Sequence, residues 1–426
     1  MVSFELTPEQ QDWLHKAREL AKVFGTRARG YDEKGQFPHE DMNDLRDGGF
    51  LSLAVPKEYG GNGNERGFCT WLPHLVIEQI AVESGSTAWC LQNHYHATGI
   101  ISGIASHEQK QKIFREVVED GALIASVGSE VQPQQMKAAN ASAGPLLTWE
   151  SGLTPTPGGF LANGRKGFCS IAKEAKYLVF WSNAPGTIAG GDGLSMALIP
   201  CSDPGITWLP GWSEVIGIRS SESGGADFKN VFVPWENVYG QPGDYVQIHP
   251  YTFELSYAML LLGLGQGALN FIRSSLQSRE FLQEDDTVMY AYGEMSSEMQ
   301  AVRTSCYYAQ WLWEEGNFEE AHQASLRALH SAKVSVIKVC TQGFDVVGTR
   351  GLFKFNPLER IWRDARVVSL HTRESSFMRL LSIGELRGDK HTKKKYGEKL
   401  ETRKTWSELL NDYHSLVQQR SDASAS

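Results

Sequence analysis

The stretch that decides the fold is Gly343–Glu385, GFDVVGTRGLFKFNPLERIWRDARVVSLHTRESSFMRLLSIGE. It follows Gln342 through a Gly-containing turn, Gly343-Phe344-Asp345-Val346-Val347-Gly348-Thr349-Arg350. It then crosses Trp362-Arg363-Asp364-Ala365-Arg366 and reaches Ser369-Leu370-His371-Thr372-Arg373-Glu374. A helix is expected over 363–386. An imidazole titrates near neutrality, so His371 suits proton transfer at working pH. Arg350 brings to the turn a planar guanidinium of the kind that grips a terminal phosphate through two hydrogen bonds.

Outward from this stretch the chain divides into three parts. Long helical patterns occupy 241–420, with helices expected near 251–280, 288–315, 318–342, 363–386 and 395–418. Asp285-Asp286-Thr287 and Gly316-Asn317 mark breaks between them, and a disordered tail is expected over 421–426. Between 121 and 240 the runs are short and separated by Gly, Pro, Asn and Ser, which predicts antiparallel strands. Asn163-Gly164, flanked by Phe160-Leu161-Ala162 and Arg165-Lys166-Gly167-Phe168, predicts a hairpin turn. Residues 1–120 read as helical. Thr7-Pro8-Glu9-Gln10 is a capping box with Pro in the first turn, and Ser106-His107-Glu108-Gln109 is a second box. Val55-Pro56-Lys57-Glu58-Tyr59-Gly60-Gly61 interrupts them with a turn. The expected class is α+β, mainly α.

The 426 residues suffice for a sizeable core. Net charge is −9, which argues against a nucleic-acid footprint. The six cysteines lack CxxC spacing, so neither a metal site nor a disulfide framework is expected, and reduced thiols fit a cytoplasmic protein. The N-terminus carries no signal pattern, and the apolar run near Met259–Leu262 is too short to cross a bilayer. Twelve Trp and fourteen Tyr suit stacking on flat ligands, although core packing accounts for most such residues.

Three stretches together resemble the acyl-CoA dehydrogenase superfamily: the turn at 55–61, the exit strand Ala226–Gly240 (ADFKNVFVPWENVYG), and Gly343–Glu385. The resemblance covers nearly the whole chain. It implies an N-terminal helical domain, a central β-barrel and a C-terminal four-helix bundle that forms a homodimer or homotetramer. Dehydrogenases of the family carry Tyr-Glu-Gly-Thr where this chain reads His371-Thr372-Arg373-Glu374, so the usual carboxylate base is absent. The pattern is most like the flavin-dependent monooxygenase branch, of the dibenzothiophene monooxygenase and amino-sugar N-oxygenase type. There the His sits beside the flavin and assists formation or use of a flavin hydroperoxide.

On this resemblance His371 is the catalytic candidate. His94 and His96, in Asn93-His94-Tyr95-His96, border the substrate cavity. Spaced by two, they do not share a helix face, so they are no metal pair and at most one faces the pocket. Flavin contacts are implied for Val127, Gly128 and Ser129, and for Phe168 and Ser170. Phosphate contacts are implied for Arg279, Gly348 and Arg350, in a site shared between subunits. The family's paired glycines are missing from the turn and Arg350 is added, which favours FMN over FAD. No GxGxxG fingerprint follows a strand, so a separate flavin reductase is expected to supply reduced FMN, with O2 and a small molecule as co-substrates. Two alternatives stand beside this: a dehydrogenase with Glu254 or Glu374 as a displaced base, and a non-catalytic binding protein on the same fold.

Overall fold

The computed structural model describes residues 4–63, 70–129, 151–185, 193–247, 253–371, 374–388 and 405–424. Glu130, Tyr251, Thr252, Thr372, Arg373 and the basic run at 391–395 lie outside the described residues. Among the described residues the chain begins with five α-helices: α1 (Pro8–Lys34), α2 (His39–Asp47), α3 (Trp71–Ala81), α4 (Gly85–Ile104) and α5 (His107–Glu119). Both capping boxes form. Thr7 Oγ1 accepts from Gln10 N–H at 3.2 Å and Gln10 reaches back to Thr7 N–H at 2.9 Å. Ser106 and Gln109 repeat the exchange at the start of α5. In the turn at 55–61 the backbone folds so tightly that a Cβ on Gly61 would lie 2.1 Å from the Val55 carbonyl oxygen.

Eight strands follow among the described residues: β1 (Ile124–Val127), β2 (Gly152–Thr156), β3 (Gly159–Lys166), β4 (Tyr177–Asn183), β5 (Leu194–Pro200), β6 (Ile206–Trp208), β7 (Ala226–Pro234) and β8 (Val238–Tyr239). They form one mixed sheet in the order β6-β7-β3-β2-β4-β5-β8, with β1 parallel to β4. The hairpin expected at Asn163-Gly164 is not there. The turn between β2 and β3 falls at Gly158, φ +83°, and Asn163-Gly164 lies inside β3. The dipeptide instead makes a bulge, where the β3–β7 register shifts between Ala162 and Gly164. Asn163 Oδ1 accepts from Asn230 N–H at 2.8 Å across the pair. Gly164 holds φ +140°, and a Cβ there would strike Ser151. Pairing with β7 therefore overrides the local turn preference.

Short α6 (Asp244–Gln247) leads to the bundle: α7 (Phe253–Gln277), α8 (Asp286–Glu314), α9 (Phe318–Val347), α10 (Leu358–Leu370), α11 (Glu374–Arg387) and α12 (Trp406–Ser424). The single helix expected over 363–386 is two helices. α10 starts five residues earlier, after Pro357, and ends at His371, which serves as its C-cap. The last helix runs through Ser424, where a disordered tail was expected from 421. α7 alone among the described helices is long and apolar enough to cross a membrane, with mean hydropathy 1.4 over 18 residues, but 83% of that window is buried inside the protein. It is the central helix of the bundle, packed on α3, α8, α9 and α10. The core is continuous from α1 through the sheet to α9.

Candidate active site

α4, α7, α10 and the sheet bring aromatic side chains together in a bowl. Trp89 and His96 are seven residues apart on α4, so both point the same way. Phe253 and Tyr257 are one turn apart on α7. His371 at the end of α10 stacks on Tyr257, with centroids 4.5 Å apart and planes at 24°. Trp89 meets the His371 ring edge-on at 5.0 Å, and Phe253 lies 5.8 Å away. Across the bowl, His96 sits 4.9 Å from Phe253 and 6.0 Å from Trp181 of β4, and its Nε2 is 3.4 Å from Tyr245 Oη.

His371 is open to solvent on one side, yet the surrounding rings strip most of its hydration. Desolvation pulls its pKa down to about 4, and the positive charge of Lys333 pushes the same way. The imidazole is therefore neutral at pH 7. The 3.4 Å approach of Tyr257 Oη to His371 Nε2 lies between stacked rings and is long for a hydrogen bond. Stacking holds the ring, and Tyr257 Oη is the polar group nearest Nε2.

His94 belongs elsewhere. Its Nδ1 accepts from Ile124 N–H at 3.1 Å, which leaves the proton on Nε2 to donate to the Leu51 carbonyl at 2.9 Å. Both nitrogens are occupied and the ring is fully buried, so burial lowers its pKa to about 4. The expectation of a catalytic His94 is corrected to a brace between α4, β1 and the 50–54 turn. Of the two histidines, His96 is the one that faces the bowl.

The sheet supplies a rim. Asn93 Oδ1 accepts from Ser126 N–H at 3.1 Å, and Trp181 Nε1 donates to Ser126 Oγ at 3.0 Å. Val127 is buried in the core, so only its backbone can meet a ligand. At Gly128 a Cβ would press the Trp181 ring at 3.2 Å. Ser129 O accepts from Gly167 N–H at 2.9 Å, tying the β1 end to the β3 end. Phe168 stands out with 54% of its surface exposed, a flat apolar face. Ser170 is 6% exposed, and its Oγ accepts from Trp89 Nε1 at 3.1 Å.

Neither candidate carboxylate enters the bowl. Glu254 is 1% exposed and turned into the bundle, its Oε1 3.9 Å from His322 Nε2. It is about 100° around α7 from Phe253. Glu374 is paired with His330 and with Lys333 at 3.1 Å. Burial would raise its pKa, but the hydrogen bonds with His330 and Lys333 hold it below the ordinary carboxylate value.

The expected phosphate group forms a second cluster. Arg279 donates through Nε to Ser275 O at 3.2 Å and through its terminal nitrogen to Val347 O at 3.1 Å. That places it beside Gly348, whose φ of +76° opens a backbone corner with nothing within 4 Å of an added Cβ. Arg350 is exposed just beyond. Exposed Phe281, Leu352, Phe353 and Phe355 lie on the same chain segments. This cluster sits at the start of α10, where Gly351 touches Leu358, and His371 sits at its other end. Thirteen helical residues separate the ends by roughly 20 Å. Each cluster taken alone suits its part of a flavin: a flat aromatic face and polar rim for the ring, guanidinium groups and an open glycine corner for the phosphate.

The residues that sequence reading missed are Trp89, Trp181, Tyr245, Phe253 and Tyr257. For Trp89, Phe253 and Tyr257 the signal was present as i, i+7 and i, i+4 spacing of aromatic rings on α4 and α7, whereas Trp181 on β4 and Tyr245 on α6 had no such spacing to mark them.

The chain matches the acyl-CoA dehydrogenase N-terminal domain over residues 7–120 and the acyl-CoA dehydrogenase C-terminal domain over residues 255–375. It is 28% identical over 409 residues to a dibenzothiophene monooxygenase of Rhodococcus qingshengii, covering 86% of this chain and 93% of that protein. Its fold is similar to FMN-bound TdsC of Paenibacillus sp. A11-2, with a TM-score of 0.79 at 24% identity over 91% of this chain and all of that one (100%). It is also similar to a glutaryl-coenzyme A dehydrogenase, with a TM-score of 0.81 at 23% identity over 93% of this chain and 100% of that one. The fold alone therefore spans oxygenases and dehydrogenases, and the choice between them rests on the side chains of the bowl.

Proposed function

This chain belongs to the acyl-CoA dehydrogenase superfamily, and on that premise we propose that it is a flavin-dependent monooxygenase that takes reduced FMN from a separate reductase. The observation that carries this reading is the bowl itself. Its centre holds a neutral imidazole among aromatic rings, while both candidate carboxylates are turned away or ion-paired. Removing a proton from carbon in a dehydrogenase requires a base at that place. The similarity to dibenzothiophene monooxygenase and to an FMN-bound neighbour supports the same choice.

When bound, reduced FMN supplies two electrons to O2. One oxygen atom enters the substrate and the other leaves as water. The residues of the chain do the rest. Phe168 offers a face for the ring, and the 126–129 backbone with Ser170 offers polar partners at its edge. Trp89, Trp181, Phe253 and Tyr257 exclude water, which favours oxygen transfer over wasteful peroxide release. His371, neutral, takes or returns one proton as the oxygen–oxygen bond breaks. His96 and Tyr245 place a polar pair on the far wall for the substrate. The substrate is a small, flat, electron-rich molecule carrying sulfur, nitrogen or an aromatic carbon.

Since α10 separates the two clusters, Arg279 and Arg350 serve a flavin whose ring lies in another copy. The exposed aromatic residues around them are the contact surface of that homodimer or homotetramer. The reading is tested with FMN, a flavin reductase and 18O2 over a panel of thiophenes, sulfinates and indoles. It predicts one labelled oxygen atom in a product. Recovery of all reducing equivalents as hydrogen peroxide across the panel would count against it.

A further inference from the structure

Behind Ser170 lies a buried row of hydroxyls that the proposed reaction does not itself use. Ser170 Oγ is 2.7 Å from Ser223 Oγ, Ser223 Oγ is 2.6 Å from Ser221 Oγ, and Ser221 Oγ is 3.0 Å from the Ile218 carbonyl. Ser221 and Ser223 are no more than 1% exposed. Each hydroxyl has one proton to give. The Ile218 carbonyl can only accept, so Ser221 donates to it. Ser221 must then accept from Ser223, and Ser223 from Ser170. At the outer end the Trp89 indole can only donate, and it donates to Ser170 at 3.1 Å. One arrangement satisfies every contact: Trp89 to Ser170 to Ser223 to Ser221 to Ile218.

The row is built at some cost. Four non-glycine residues among those described have positive φ, and three of them frame it: Ile171 at 57°, Ile218 at 51° and Glu222 at 46°. Such strain persists where surrounding structure over-determines it, and it gathers at functional sites. Ile171 N–H is held by Ser221 O at 3.0 Å, and Cys169 N–H by Gly224 O at 2.8 Å. Ile218 N–H is held by the buried Asp364 at 2.6 Å, on the helix that ends at His371.

We infer that Ser223 and Ser221 are positioning residues that commit the Ser170 proton inward, so that Ser170 meets a bound flavin as an acceptor only. This rests on the flavin reading given above. Oxidised and reduced isoalloxazine differ in this respect. The reduced ring carries an N–H on its central ring where the oxidised ring has a bare lone pair. A serine that can only accept pairs with the first and opposes the second. The relay thus selects the reduced cofactor, the form that a separate reductase would deliver. It also biases the protein toward releasing FMN once it is oxidised.

The test is equilibrium binding of oxidised and of reduced FMN, the latter anaerobically, together with the potential of the bound couple. Wild-type protein is expected to bind reduced FMN the more tightly. Ser223→Ala frees the Ser170 proton to turn outward, and the preference falls by roughly tenfold, the scale of one hydrogen bond. For a two-electron couple that is about 30 mV more negative. Ser221→Ala removes the inner acceptor and shifts the preference the same way. Ser223→Thr keeps the hydroxyl and keeps the wild-type ratio, which a loss of packing alone would not explain. Equal binding of both forms by wild-type protein overturns the inference, as does an unchanged ratio in folded Ser223→Ala and Ser221→Ala. Failure of wild-type protein to bind either form overturns the flavin reading and this inference with it.

Discussion

His371 and His94 show how one residue type is sorted by its surroundings. Both are desolvated, and both have a pKa lowered to about 4. His94 has both nitrogens bound to backbone, whereas His371 has its ring stacked and an edge in the bowl. His371 stood out in the sequence because of its place after Arg363-Asp364-Ala365. The role of His94 did not, because its partners lie 30 and 43 residues away. His371→Ala is expected to keep its melting temperature and to lose about two to four orders of magnitude in oxygenation. His94→Ala leaves Ile124 N–H and Leu51 C=O buried without a partner, at about 1–3 kcal/mol each, and is expected to lose stability. The signs with pH follow. A histidine with pKa 6.5 unfolded and about 4 folded stabilises the protein above pH 6.5, and that contribution fades as pH falls through 4. His94→Ala flattens thermal stability across that window. Wild-type oxygenation, where His371 governs it, stays level from pH 8 to pH 5. A midpoint near 6.5 that vanishes in His371→Ala would show that the imidazole titrates unshifted, and a gain of activity below that midpoint would make the imidazolium the working form.

At the scale of elements, legibility followed locality. The capping boxes of α1 and α5 form from residues three apart and were plain in the sequence. Asn163-Gly164 was misread because its conformation is set by β7, more than sixty residues on. The polarity of Ser170 was hidden for the same reason, since it depends on a loop fifty residues downstream. α10 matters most. Its thirteen residues put the phosphate cluster at one end and the imidazole at the other. Arg279→Ala is therefore expected to weaken FMN binding roughly ten- to hundredfold, through loss of a charge-assisted contact. A sharper consequence follows for mixtures. Arg279→Ala and His371→Ala subunits, each inactive at limiting FMN, restore activity when unfolded and refolded together. One intact site then draws Arg279 from one copy and His371 from the other. Hybrids no more active than either parent would place both groups in one chain's site.

For the whole molecule, the three-part order of helices, strands and helices positions a bowl whose chemistry the fold does not dictate. The same architecture is shared with a glutaryl-coenzyme A dehydrogenase at a TM-score of 0.81. In this chain neither candidate carboxylate enters the bowl. Glu254 is buried against His322, Glu374 is held by His330 and Lys333, and a neutral His371 occupies the centre. The most direct measurement is the absorbance of protein-bound oxidised FMN, followed anaerobically after addition of a panel of straight-chain and branched acyl-CoA thioesters. The account predicts that the flavin stays oxidised with every one. Rapid bleaching by any acyl-CoA, abolished in Glu254→Gln, would contradict it and make Glu254 the base of a dehydrogenase.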